Sequence, residues 1–302
     1  MMQLNEYKNI SDNVYNFSVM LYKHILEDAD RQNIQKSRLN GYLFLQNSFV
    51  LKKSNTNQWI FNNLDDLNVS YVLYVAETNK EYNYIMQNID AEANSEGDYE
   101  KRSIRIISGY INDSISSDFL ATICHEVNHL FEYDNGREKR IDLYDKVREL
   151  IFKDDDYASI VGNAMYYTFQ HEIDAFVHQF YGFLKQEHPN HLGFEELLNY
   201  TEYKNAYNAY EEVLSNKNNP NVMKWINYLG YNRNNYFKRL KYSLKKFYVK
   251  IKNVYMRYRM ENRQMTEGVI HRLQLNEKIR LEESKRYNCE IKWGIENIYN
   301  LN

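Results

Sequence analysis

From Ser116 to the C-terminus the apolar residues recur at helical spacing, and only two prolines, Pro189 and Pro220, interrupt them. Proline ends or kinks a helix because it lacks an amide donor and its ring crowds the preceding turn. So long a stretch with so few breaks has to fold as packed helices. The spacing predicts a first helix behind Ser116 and Ser117 that stops at Asp134-Asn135-Gly136. Further helices are expected over 138–153, 157–187, 194–214 and 235–262.

The N-terminal part follows a different period. Val14, Phe17, Leu21 and Ile25 lie at helical spacing behind Ser11, a residue type suited to cap a helix. Then 41–52, 70–77 and 102–110 are short runs rich in β-branched and aromatic residues, and each predicts a strand. Between them 79–100 is acidic, with Gly97 near its end, and predicts a helix plus an exposed loop. The expected fold class is α+β: a small mixed sheet at about 41–110, then an active-site helix and a mostly helical body. A boundary is expected at 192, separating 1–192 from a helical region 193–302.

Composition narrows the function classes. With 43% hydrophobic and 26% charged residues the chain is an ordinary globular one, and a net charge of -3 does not make it a general nucleic-acid glue. No window approaches the roughly 18 apolar residues of a membrane span. Nor do the first residues show the basic and apolar regions of a secretory signal. Cys124 and Cys289 are too few for a disulfide framework, which fits a reducing compartment. The 29 Tyr, 2 Pro and abundant Asn, Lys and Ile are what AT-rich codons favour, as in low-GC bacteria and their phages. The cytoplasm or a phage virion is the expected location.

The chemistry lies in His125-Glu126-Val127-Asn128-His129. Two histidines at i and i+4 project from one helical face and can grip one metal, with Glu126 beside them. Phe119, Ile123, Val127 and Leu130 lie on another side and would face the core. The five residues spell H-E-x-x-H, a zincin signature. Metzincins continue with Gly and a third His, but those places hold Glu132 and Asn135. The segment His171-Glu172-Ile173-Asp174-Ala175-Phe176 instead resembles the E-x-x-A element of gluzincin-type zinc metallopeptidases. The resemblance covers about 100–180.

That resemblance implies Zn2+ held by His125, His129 and Glu172, with Asp174, His171 and His178 as alternatives to Glu172. Ala175 is small enough to let its helix approach the first closely. Asp174 would otherwise orient a ligand histidine, and His171 and His178 would lie at the surface. The implied mechanism is peptide hydrolysis, with zinc lowering the pKa of a water toward about 7 and Glu126 as general base. An oxyanion donor would come from Tyr166, Tyr167, His178, His188 or His191. The strand 102–110 is either a sheet edge that could take an extended peptide or an ordinary strand. Cys124 reads as a small buried hydrophobe.

Residues 233–263 hold eleven of the 38 basic residues and one of the 41 acidic ones, which leaves -13 for the rest. Phe237, Leu240, Leu244, Phe247, Ile251, Val254 and Tyr258 form a heptad seam. A packed helix whose basic flanks answer the acidic remainder, or an acidic neighbouring subunit, explains this, and contact with nucleic acid is the alternative. Three functions follow: a zinc metallopeptidase acting on peptides or proteins; a structural virion component, such as a tail or neck ring subunit, that contacts other virion subunits or its own copies; or a regulatory protease whose basic helix touches DNA.

Overall fold

The computed structural model describes residues 12–30, 35–39, 42–52, 66–76, 78, 80–81, 96–98, 103–111, 114–115, 117–134, 142–189 and 191–299. The Ser11 cap, the stop at Asn135-Gly136, most of the acidic segment 79–100 and the Cys289 side chain lie outside what is described. The fold is α+β and mostly helical.

Helix α1 (Asp12–Asp30) precedes strands β1 (Gln35–Leu39), β2 (Tyr42–Lys52), β3 (Asp66–Val75), β4 (Glu96–Asp98), β5 (Ser103–Ile111) and β6 (Ser114–Ile115). The three expected strands are β2, β3 and β5, and they form the body of a mixed sheet. β2 pairs antiparallel with β3, β3 pairs parallel with β5, and the shorter β1, β4 and β6 extend it. Of these, β4 and β6 escaped sequence reading because two or three residues show no period, and β1 because Gln35-Lys36-Ser37-Arg38-Leu39 is mostly polar. Along β3, Leu67, Val69, Tyr71 and Leu73 are buried while their neighbours are not, the alternation of a sheet with one covered face. Val14, Phe17, Leu21 and Ile25 of α1 cover that face. Beside them lie Phe119, Ile123, Val127 and Leu130 of α2 (Ser117–Asp134), the helix that carries the motif.

The helical body continues with α3 (Asp142–Ile151), α4 (Asp156–Tyr166), α5 (Gln170–Glu187), the one-turn α6 (Phe194–Leu197), α7 (Glu202–Ser215), α8 (Pro220–Tyr228) and α9 (Arg233–Tyr299). The expected helix 157–187 is therefore two helices. The hydroxyl of Thr168 donates to Met165 O at 2.7 Å, as does its amide at 2.9 Å, closing the turn before Phe169 extends. Pro220, expected as a break, starts α8 at its first position, where its missing amide costs nothing. The Asn219 side chain caps that helix.

Compact units are Met1–Tyr255 and Met256–Asn302. The expected boundary at 192 runs instead through one core. Val147, Leu150, Val161 and Met165 pack there with Val213, Trp225, Ile226, Tyr236 and Leu240 from beyond it. The buried stripe of α9 in the first unit is Tyr236, Leu240, Ser243, Phe247, Ile251 and Val254. It passes through 236 and 243 where the heptad reading placed 237 and 244, because a straight helix keeps nearer 3.6 residues per turn than 3.5. Part of its basic charge is answered internally, where Lys250 pairs with Asp174; Arg239 donates to the neutral hydroxyls of Thr168 and Tyr231. Among the described residues no helix is long and apolar enough to cross a membrane.

Candidate metal centre and active site

Helices α2 and α5 meet along matching stripes. On α5, Glu172, Ala175, Gln179 and Gly182 follow at intervals of three and four. Gly182 lies against Ala121 and Cys124, Gln179 against His125, and Glu172 against His125 and His129, so the helices run antiparallel. A Cβ on Gly182 would stand 2.9 Å from Cys124 Sγ and 3.1 Å from Ala121 Cα. This is closer than a side chain tolerates, so the glycine sets how near the helices approach. Ala175, on the same stripe, is fully buried as its small size suggested.

The close approach brings three ligand atoms together. His125 Nε2 and His129 Nε2 are 3.2 Å apart, and Glu172 Oε2 lies 3.8 and 3.6 Å from them. A triangle with these sides has its centre about 2.1 Å from each corner, within the roughly 2.0–2.2 Å that zinc takes to imidazole nitrogen and carboxylate oxygen. All three residues are buried, and together they can hold a metal ion.

Neighbouring groups hold two of the three ligands, His125 and Glu172, in place. Gln179 Oε1 faces His125 Nδ1 at 3.1 Å; an amide oxygen only accepts, so Nδ1 carries the proton and Nε2 presents its lone pair to the centre. The Glu172 carboxylate takes a hydroxyl on each oxygen, Tyr144 on Oε1 at 2.7 Å and Tyr166 on Oε2 at 2.6 Å. The break after α4 is what turns Tyr166 back onto a residue six positions on. Glu172 also sits in the first turn of α5, where the helix dipole favours an anion.

Burial alone would raise the Glu172 carboxyl, but the hydrogen bond and charge of His129, the charge of His125 and the Tyr166 hydroxyl hold it well below the usual range. Burial and then the neighbouring His129 push His125 down. The Tyr166 hydroxyl is pushed far up by burial and then by Glu172. An ionised carboxylate beside a His125 imidazole pushed toward its neutral form suits metal binding, which takes both groups without their protons.

The remaining expected residues fall in several places. Glu126 is 2% exposed, and its charge acts on His125. The carboxylate of Asp174 meets Lys250 and Gln170, so the acceptor on a ligand histidine is Gln179 instead. The Tyr167 hydroxyl donates to Glu202 at 3.1 Å. His178, expected at the surface, is buried; its Nδ1 bonds the Asp174 carbonyl at 2.8 Å, and burial pushes its pKa down to about 4. His171 is half-buried, with Nε2 3.5 Å from Glu172 Oε1. His188 and His191 are exposed beyond the far end of α5, about 24 Å along the axis from Glu172. Cys124 is buried, as expected for a small hydrophobe, and burial pushes its thiol up to about 12. Sequence reading missed Tyr144 and Gln179. With 29 tyrosines, nothing along the chain marks the one that folds back onto Glu172.

Comparison of the chain with family models, curated proteins and solved structures finds no match.

Proposed function

We propose that this chain is a zincin-like, zinc-dependent hydrolase that cleaves peptide bonds, with His125, His129 and Glu172 as ligands and Glu126 as general base. The observation that carries the reading is the convergence of His125 Nε2, His129 Nε2 and Glu172 Oε2 from antiparallel helices onto one point. Two imidazoles and one carboxylate are a donor set that suits catalytic zinc. Bound there, zinc would supply a Lewis acid and bring the pKa of a water toward about 7.

The chain's own groups do the rest. Gln179 keeps the His125 lone pair aimed at the centre, and the two tyrosines keep Glu172 Oε2 turned toward the imidazoles. Glu126, next to His125 on the helix, accepts a proton from water. As the water oxygen joins the carbonyl carbon and the C–N bond breaks, that proton passes to the leaving nitrogen. Burial of the site keeps bulk water from competing and strengthens each charge interaction.

A second reading rests on that same burial. Glu126, His129 and Glu172 are each 4% exposed or less, so a cation here would also tie α2 to α5. In that case the chain is a structural component, such as a virion ring subunit, that kept a metal site.

Metal analysis and peptidase assays separate the two. Wild type is expected to carry about one zinc per chain, absent from His129→Ala. Glu126→Gln should keep the metal and lose about 10^2 to 10^4 of the hydrolysis of an unfolded protein substrate. Zinc without hydrolysis, in a chain that assembles into rings, would leave the structural reading standing. No zinc in wild type ends both.

A further inference from the structure

Beside His125, on the side of Gln179 and away from the three ligand atoms, a cleft of about 140 Å³ opens between α5 and the segment 199–205. It is far smaller than the roughly 300–1,000 Å³ of a whole-ligand pocket and of a size for one side chain. Its chemistry is unusual for a surface crevice. Phe176 lies against the imidazole of His125, with ring centroids 4.7 Å apart. Phe183 and Tyr200 stack at 6.1 Å with planes 14° apart, and Tyr200 is left 64% exposed. Opposite them stands Glu202. Its Oε2 accepts from Tyr167 at 3.1 Å and from Asn205 at 2.8 Å, and among the described residues no lysine or arginine pairs with it.

We propose that this cleft is a subsite for a cationic side chain, lysine or arginine, of a bound peptide. The Glu202 carboxylate supplies the counter-charge, and Phe176, Phe183 and Tyr200 supply ring faces. A carboxylate whose orientation two neutral donors fix is an acceptor held ready for an ammonium or guanidinium group. Aromatic faces within about 6 Å add cation–π attraction, and they cover the methylene stem that such side chains carry. A neutral apolar side chain would fill the same space but strand the carboxylate. The cleft adjoins His125 through Gln179, and the charge of Glu202 reaches that imidazole. The assignment to peptide substrates rests on the peptidase reading; binding of the cation does not.

The test uses the full chain and two probes, Nα-acetyl-lysine methylamide and its uncharged counterpart Nα-acetyl-norleucine methylamide. Binding is followed by NMR titration in the presence of a chelator, so the outcome is independent of metal and of turnover. The lysine probe should bind saturably and about tenfold more tightly than the norleucine probe. Glu202→Gln, which can still accept from Tyr167, should lower the affinity for lysine about tenfold and leave norleucine unchanged. Equal binding of the two probes, no binding of either, or an unchanged lysine affinity in Glu202→Gln each overturns the proposal. If Glu202→Gln does not fold, the comparison of probes on wild type decides alone. Loss of hydrolysis with lysine binding intact would instead point to failure of the peptidase reading.

Discussion

Replacing Gly182 by alanine probes the contact that assembles the site. In a helix interior, alanine is favoured over glycine by about 0.5–1 kcal/mol. At this position the new methyl would meet Cys124 Sγ at 2.9 Å and Ala121 Cα at 3.1 Å. The second contact is backbone and cannot rotate away, so α2 and α5 must separate by a few tenths of an ångström. Overpacking of this kind costs about 1–3 kcal/mol, which outweighs the gain in propensity and leaves a net loss of about 1 kcal/mol. The sharper effect is on the metal. The ligand triangle centres about 2.1 Å from each atom, inside zinc's range, and separating the helices widens it. Gly182→Ala is therefore expected to unfold at lower urea and to lose zinc affinity about 10- to 100-fold in chelator competition. Adding Cys124→Ala, which removes the shorter contact, should recover part of both. A Gly182→Ala protein more stable than wild type, with zinc held as tightly, would refute the claim that this glycine sets the ligand distances.

Two further outcomes test the surroundings. His178 has a folded pKa depressed from 6.5 to about 4 by burial, among Asp174, Lys250 and His125, so the unfolded chain binds its proton more readily. Its share of stability is complete above about pH 6.5 and declines as pH falls toward 4, by up to about 3 kcal/mol. Urea midpoints at several pH values should show a shallower acid slope in His178→Gln than in wild type; equal slopes would contradict this. Tyr236→Phe removes a buried hydroxyl that donates to Val161 O at 2.9 Å, and should cost about 1–2 kcal/mol without changing zinc content.

Periodicity alone determined which faces are buried where it runs long enough. Val14, Phe17, Leu21 and Ile25 of α1 and Phe119, Ile123, Val127 and Leu130 of α2 were legible because burying one helical face is a local rule repeated every turn. The pairing of His125 with His129 was legible for the same reason, since i and i+4 share a face wherever a helix forms. What folding had to decide is everything that joins distant segments. Tyr144 of α3 and Glu172 and Gln179 of α5 join His125 and His129 of α2 at one site from three places in the chain. The cores on either side of residue 192 are one. A sequence states spacing along one helix, whereas the distance between two helices depends on which side chains meet there, and here a single missing Cβ at Gly182 sets it.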